Sequence, residues 1–143
     1  MLNNDKYYCR KVNGDFTWSF AQALNSSVLP ALPDRTKFRF VFCSGQLAEW
    51  GQNKKLMFMP DTRKIKGEIE KRLCELADAE PRFETYLLRP AAIQGENTGM
   101  LRRAWMRPLG LAVDAAEVGK AMAKIGLDGT TKRILDNADI LKL

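Results

Sequence analysis

The 143-residue sequence contains no histidine. Ser-His-Asp and Cys-His catalysis, and most zinc sites built by one chain, are thereby excluded. Acid–base chemistry falls to Lys, Tyr, Asp, Glu or Cys. In PDTRKIKGEIEKRL, residues 60–73, Thr62 and Lys66 stand four positions apart. Four residues advance a helix by about 400°, so both side chains project to nearly the same side, displaced from the Ile65–Ile69–Leu73 stripe. A hydroxyl and an ammonium so placed are either the remnant of a catalytic pair or an ordinary solvated helix face. Ser44-Gly45 puts a hydroxyl at the end of the apolar run FRFVFC, where the plainer alternative is a strand-ending turn. RRAWMR, residues 102–107, sets Arg102, Arg103 and Arg107 around Trp105. Guanidinium groups there could meet a phosphate and the indole could stack on a base; the alternative is a basic surface loop with an anchoring tryptophan.

The elements that must position these groups follow from pattern. Residues 12–29 carry Phe16, Phe20, Ala23 and Leu24 at helical spacing, with Asn13 or Asp15 as cap. PALPDRT breaks that helix. FRFVFC, residues 38–43, is apolar at nearly every position, as expected for a strand covered on both faces. A loop follows to Pro60. Residues 61–79 predict a helix with Asp61 as cap, a buried face of Ile65, Ile69, Leu73 and Leu76, and solvent-side pairs Glu68–Arg72 and Lys71–Glu75. FETYLLRPAAI, residues 83–93, gives a second buried strand that Pro90 stops. Strand, helix and strand in this order predict a parallel βαβ unit with a right-handed crossover. VDAAEVGKAMAKIG predicts a helix capped by Asp114 with Glu117 completing a capping box, a Val113–Val118 staple and Gly126 as stop. The tail RILDNADILKL, with Asn137-Ala-Asp139-Ile, is expected to pack on the sheet as a short element.

Taken in order, FVFCSG, Thr62-x-x-x-Lys66, YLLRPAAI and VDAAEVGKAM resemble the carboxy-terminal part of short-chain dehydrogenase/reductases, closest to the atypical and extended, nucleotide-sugar epimerase-like branch. The resemblance runs from about residue 12 to the end. It implies an α/β fold, an incomplete Rossmann-like parallel sheet forming the second half of a doubly wound NAD(P)-binding domain over residues 1–143. NAD or NADP is the implied cofactor, beside an unknown small-molecule substrate. By position, Ser44 matches the family's substrate-holding serine, Lys66 its ribose-binding lysine, and Pro90, Ala91, Ala92 and Ile93 the loop against the nicotinamide. Arg102, Arg103 and Trp105 fall in its substrate-covering loop. Thr62 stands where the family has its catalytic tyrosine. A threonine hydroxyl is a very poor proton donor at neutral pH, so catalysis is expected to be impaired. No GxxGxxG or GxGxxG follows an apolar strand, so the diphosphate grip and the first strands are absent and binding by this chain alone is expected to be weak.

Composition sets the limits. Charged residues make up 28% and hydrophobic residues 45%, with a net charge of +6 that mildly favours anionic partners. Cys9, Cys43 and Cys74 are odd in number and form no CxxC, which predicts reduced thiols in the cytoplasm. The amino terminus lacks the apolar core of a signal peptide, and no run approaches the roughly 18 apolar residues of a membrane span. Two further readings stand beside the first. One is a non-catalytic cofactor-sensing or partner-binding scaffold, favoured by the loss of tyrosine. The other, ranked last because the basic residues are dispersed, is a nucleic-acid-binding module using RRAWMR. A half sheet leaves FRFVFC with an open edge, which predicts self-association.

Overall fold

A computed structural model describes residues 7–95, 105–106 and 108–143. The chain forms two compact units: Met1–Phe40 with Leu47–Thr85, and Val41–Gln46 with Tyr86–Leu143. The sheet strands are β1 (Phe38–Cys43), β2 (Phe83–Arg89) and β5 (Ile134–Asp136), in the order β1-β2-β5. β2 and β5 are parallel, with Leu87 opposite Ile134, Leu88 opposite Leu135 and Arg89 opposite Asp136. β1 is parallel to β2 as well. Phe38 N–H donates to the Arg82 carbonyl at 2.7 Å and Ser44 N–H to the Leu88 carbonyl at 2.8 Å, so the partners advance together along both strands. Helix α2 (Pro60–Ala79) connects β1 to β2. The expected parallel strand–helix–strand order is therefore present, in a mixed α/β fold.

In the first unit, a continuous helical run over residues 7–31, α1, lies against α2. It includes two π-helical stretches, Lys11–Phe16 and Leu24–Val28, and closes in a 3-10 turn, Leu29–Ala31. The wider π turns change which residues face α2. The inward positions are Gly14, Ala21 and Leu29. The expected face of Phe16 and Phe20 is instead 56% and 60% exposed, and Ala23 is exposed too. Neither Asn13 nor Asp15 caps this helix, because it already runs from residue 7; Asn13 Nδ2 donates within the helix to the Cys9 carbonyl. Small residues allow the close approach: a Cβ added at Gly14 would sit 3.5 Å from Ile65 and 3.9 Å from Ile69. At the far end Arg82 gathers the helix's terminal carbonyls, donating to Leu29 O at 2.6 Å and Leu32 O at 3.3 Å.

α2 buries Ile65, Ile69, Leu73 and Cys74 as its spacing dictates, while Leu76 is only half-buried. Its start differs from expectation. Met59, in the left-handed region at φ 43°, occupies the cap position and Pro60 begins the helix, leaving Asp61 in the first turn where its charge suits the dipole. The Lys71–Glu75 pair forms at 3.8 Å. The expected Glu68–Arg72 pair gives way to tertiary partners: Glu68 meets Arg10 at 3.0 Å, and the Arg72 guanidinium lies 4.2 Å over the Trp18 ring. Phe38 and Phe40 stack on Phe83 at 5.5 and 5.9 Å. All six residues of β1 are half-buried: its side chains meet Phe83 on one face and the Tyr86–Leu88 core on the other, and among the described residues no strand pairs its outer edge.

The second unit has its own core of Tyr86, Leu88, Val113, Val118, Ala121, Ile125, Leu135 and Ile140, with Val41 and Cys43 packed against it. β3 (Ala92–Gln94) and β4 (Ala112–Asp114) form a small parallel pair. Helix α3 (Ala115–Asp128) starts with the expected Asp114–Glu117 capping box, and both staple residues Val113 and Val118 are buried. It passes through Gly126 and stops three residues later, at Gly129 with φ 72°. The tail joins the sheet as β5 and ends in a short helix, α4 (Asn137–Ile140).

Candidate functional site

In open parallel sheets, ligands bind outside the carboxyl ends of the strands. Here that end lies in the second unit, and backbone hydrogen bonds stitch it together. Ser44, the first residue after β1, is buried and held by its N–H to Leu88. Two residues on, Gln46 N–H donates to the Pro90 carbonyl at 2.9 Å. The loops that leave the two adjacent strands are thus joined, and Ser44 is brought beside the Pro90 segment. Pro90 is buried and Ala91 half-buried, whereas Ala92 and Ile93 are exposed. The segment is anchored at its proline and offers its next apolar side chains outward.

Thr62 and Lys66 belong to the first unit, on one side of α2, and both are half-buried. The Thr62 hydroxyl lies 3.6 Å from the Cys9 thiol of α1, so it is engaged in the contact between α1 and α2. Just below, the strand-to-helix loop crosses α2 at Gly67. A Cβ there would meet the Glu49 carbonyl oxygen at 2.0 Å, a separation that only glycine permits. Glu49 N–H donates to the Arg63 carbonyl at 2.9 Å, Arg63 Nε to the Leu47 carbonyl at 2.7 Å, and Gln52 Nε2 to the Lys64 carbonyl at 3.1 Å. Trp50 Nε1 donates to Glu70 Oε2 at 2.6 Å, and Glu70 is fully buried. The Glu49 carboxyl is held below the usual carboxylate range by its hydrogen bonds from Lys54 and the Gly51 amide.

No protein-family model and no curated protein matches the chain.

Arg102 and Arg103 lie outside the described residues. Trp105 is 74% exposed. Among the described residues no group of three or more His, Cys, Asp or Glu side chains could hold a metal, and no helix is long and apolar enough to cross a membrane. Three features of the two units were not expected from the sequence. Gly67 was legible as an unexplained glycine inside a helical pattern, a sign of close backbone approach. Gly129 follows an aspartate, an ordinary turn signal. The partners of Asn137 left no local trace.

Proposed function

We propose that the chain supplies the nicotinamide-side half of an NAD(P)-binding short-chain dehydrogenase/reductase-like domain and does not perform the proton transfer of carbonyl reduction. The observation that carries this reading is the Gln46–Pro90 hydrogen bond, which joins the loops leaving two adjacent parallel strands and leaves Ala92 and Ile93 exposed beside them. Ala92 and Ile93 are the ligand-facing groups, Ser44 and Pro90 being buried, and the exposed aliphatic side chains suit a flat, weakly polar ring. The Thr62–Cys9 contact favours the non-catalytic version, because the residue at the tyrosine position is turned to a thiol of α1. The three free cysteines fit a reducing, cytoplasmic setting. An unknown small molecule as substrate, met by Arg102, Arg103 and Trp105, belongs to the same reading.

These residues hold the nicotinamide half of the dinucleotide, so on their own a dissociation constant in the millimolar range, about −4 kcal/mol, is expected. Titration of the protein into NADPH, followed by nicotinamide fluorescence, tests it. Wild type should shift the emission at millimolar protein. Lys66→Ala should weaken binding by about tenfold or more if this ammonium holds the ribose, the loss typical of a charged hydrogen bond. Identical curves for the two proteins would remove Lys66 from the site. No emission change with wild type at any concentration would reject the cofactor reading.

A further inference from the structure

The carboxyl end of the sheet contains one side chain that ties two loops at once. Asn137 opens α4 directly after β5 and is 4% exposed. Its Oδ1 accepts the Ala91 N–H at 3.0 Å, and its Nδ2 donates to the Gly110 carbonyl at 3.2 Å. Both ends of the amide are therefore used in a place that water scarcely reaches, where a side-chain hydrogen bond is costly to leave unmade. Ala91 directly follows Pro90, whose carbonyl receives Gln46 N–H. Gly110 sits in the left-handed region at φ 68°, and its neighbour Leu111 accepts the Ala92 N–H at 3.2 Å. Residues 90–92 are thus gripped on one side by Gln46 and on the other by Asn137 and the Gly110–Leu111 turn. Asn137 itself is fixed from below. Asp136 and Asp139 form a capping box around α4, Asp139 N–H to Asp136 Oδ1 and Asp136 N–H to Asp139 Oδ2, each at 3.0 Å. Lys132 bonds to the Asp139 carboxylate and lies 3.8 Å from that of Asp136.

We propose that Asn137 is a positioning residue. It sets the Pro90–Ile93 loop in the pose that receives a nicotinamide nucleotide, and it touches no ligand itself. The inference rests on the cofactor reading above. Its logic is geometric. An amide of fixed orientation, planted on a capped helix turn, takes the Ala91 N–H inward and leaves the next two residues exposed. Removing it frees Ala91 from β5 and Gly110 from its side-chain tie, leaving the loop held by Gln46 and by the Ala92–Leu111 bond alone, while the apolar core of this unit keeps every member.

The test compares wild type, Asn137→Ala and Asn137→Asp by amide hydrogen exchange and by nicotinamide mononucleotide titration followed through amide resonances. Asn137→Ala should lower the protection of the Ala91 amide by about tenfold or more. Leu88 and Leu135 should keep theirs within about threefold. The mononucleotide dissociation constant should rise by about fivefold or more. Asn137→Asp keeps an acceptor for the Ala91 N–H but loses the donor to Gly110 and sets a carboxylate against that carbonyl, so protection and affinity should return only in part; the same readouts on this variant serve if Asn137→Ala fails to fold, with Ala91 protection and affinity expected to fall together. Unchanged Ala91 protection in Asn137→Ala overturns the proposal. So does equal loss of protection at Ala91, Leu88 and Leu135, because the role is then general stability. Loss at Ala91 with unaltered mononucleotide affinity overturns it too, since the loop would then not receive the ligand. Wild type that binds no mononucleotide defeats the parent reading, and the positioning role falls with it; wild type that binds while both variants bind equally well defeats the positioning role alone.

Discussion

Gly67→Ala separates two opposite expectations by sign. On helix propensity alone, alanine in place of an interior glycine should stabilise the protein by about 1 kcal/mol. The structure demands the reverse. The new Cβ would stand 2.0 Å from the Glu49 carbonyl oxygen, 2.3 Å from its carbon and 2.9 Å from its nitrogen, all backbone atoms with no rotamer to escape into. Reaching ordinary contact at 3.4 Å requires the loop to retreat by about 1.4 Å at the oxygen. Glu49 N–H then leaves the Arg63 carbonyl, now 2.9 Å away, which costs about 1 kcal/mol. Trp50 is next in the chain, and its 2.6 Å bond to the buried Glu70 carboxylate stretches with it, at about 1.5–3 kcal/mol for a charged acceptor. With the propensity gain set against these losses, the net destabilisation is about 2 kcal/mol. For a chain of this length that lowers the melting temperature by roughly 5–10 °C. Urea unfolding followed by far-UV circular dichroism and by tryptophan emission measures it, and the native far-UV spectrum should not change. A variant that melts higher than wild type would refute the close approach of the loop to α2.

Three other outcomes are expected. Thr62→Ala removes a hydroxyl that faces Cys9, so nicotinamide mononucleotide affinity should change by less than about twofold in an amide-resonance titration; a loss of tenfold would return Thr62 to the binding site. Asp139 is held below its ordinary value chiefly by the hydrogen bond from Lys132, and Lys132 is raised by the same bond. A depressed carboxyl stabilises the fold above its ordinary value and ceases to do so as pH falls through the folded one. A raised ammonium stabilises below its ordinary value and ceases to do so as pH rises through the folded one. α4 should therefore be indifferent to pH near neutrality and loosen below about pH 4 and above about 10.5. A carbon-detected titration should place the Asp139 midpoint below the usual aspartate value, and Lys132→Met should raise it; an ordinary midpoint in wild type would contradict the pairing. The half-buried edge strand β1 and the exposed Phe16 and Phe20 predict concentration-dependent self-association, read as mass by light scattering after size exclusion. A constant monomer mass up to high micromolar concentration would oppose it.

The parts of the fold legible in the sequence were those where a local signal and the tertiary outcome coincide. FRFVFC and TYLLR are short apolar runs bounded by turn residues, and they became adjacent parallel strands. Asp114 and Glu117 cap α3 because the capping box needs only residues three apart. The misses come from interactions that no local window contains. Helical periodicity placed Phe16 and Phe20 inward, but π turns carry Gly14, Ala21 and Leu29 there, where small residues fit against α2. Glu68 and Arg72 have the right spacing to pair, yet Arg10 and Trp18 from α1 claim them. Gly126 has the identity of a helix stop, but a stop needs a left-handed backbone, and that falls at Gly129. For the candidate site, Ser44 and Pro90 could be placed from the ends of apolar runs. The role of Asn137 could not, since its partners Ala91 and Gly110 lie 46 and 27 residues away.

The central claim is that the carboxyl edge of this sheet receives the nicotinamide half of a dinucleotide. Parallel titrations of isotope-labelled protein with nicotinamide mononucleotide and with adenosine monophosphate, each at millimolar concentration, address it most directly. The Ser44, Gln46, Ala91 and Ile93 amides should show saturable shifts with the first nucleotide and much smaller ones with the second. Equal shifts with both, or shifts confined to other residues, would contradict it.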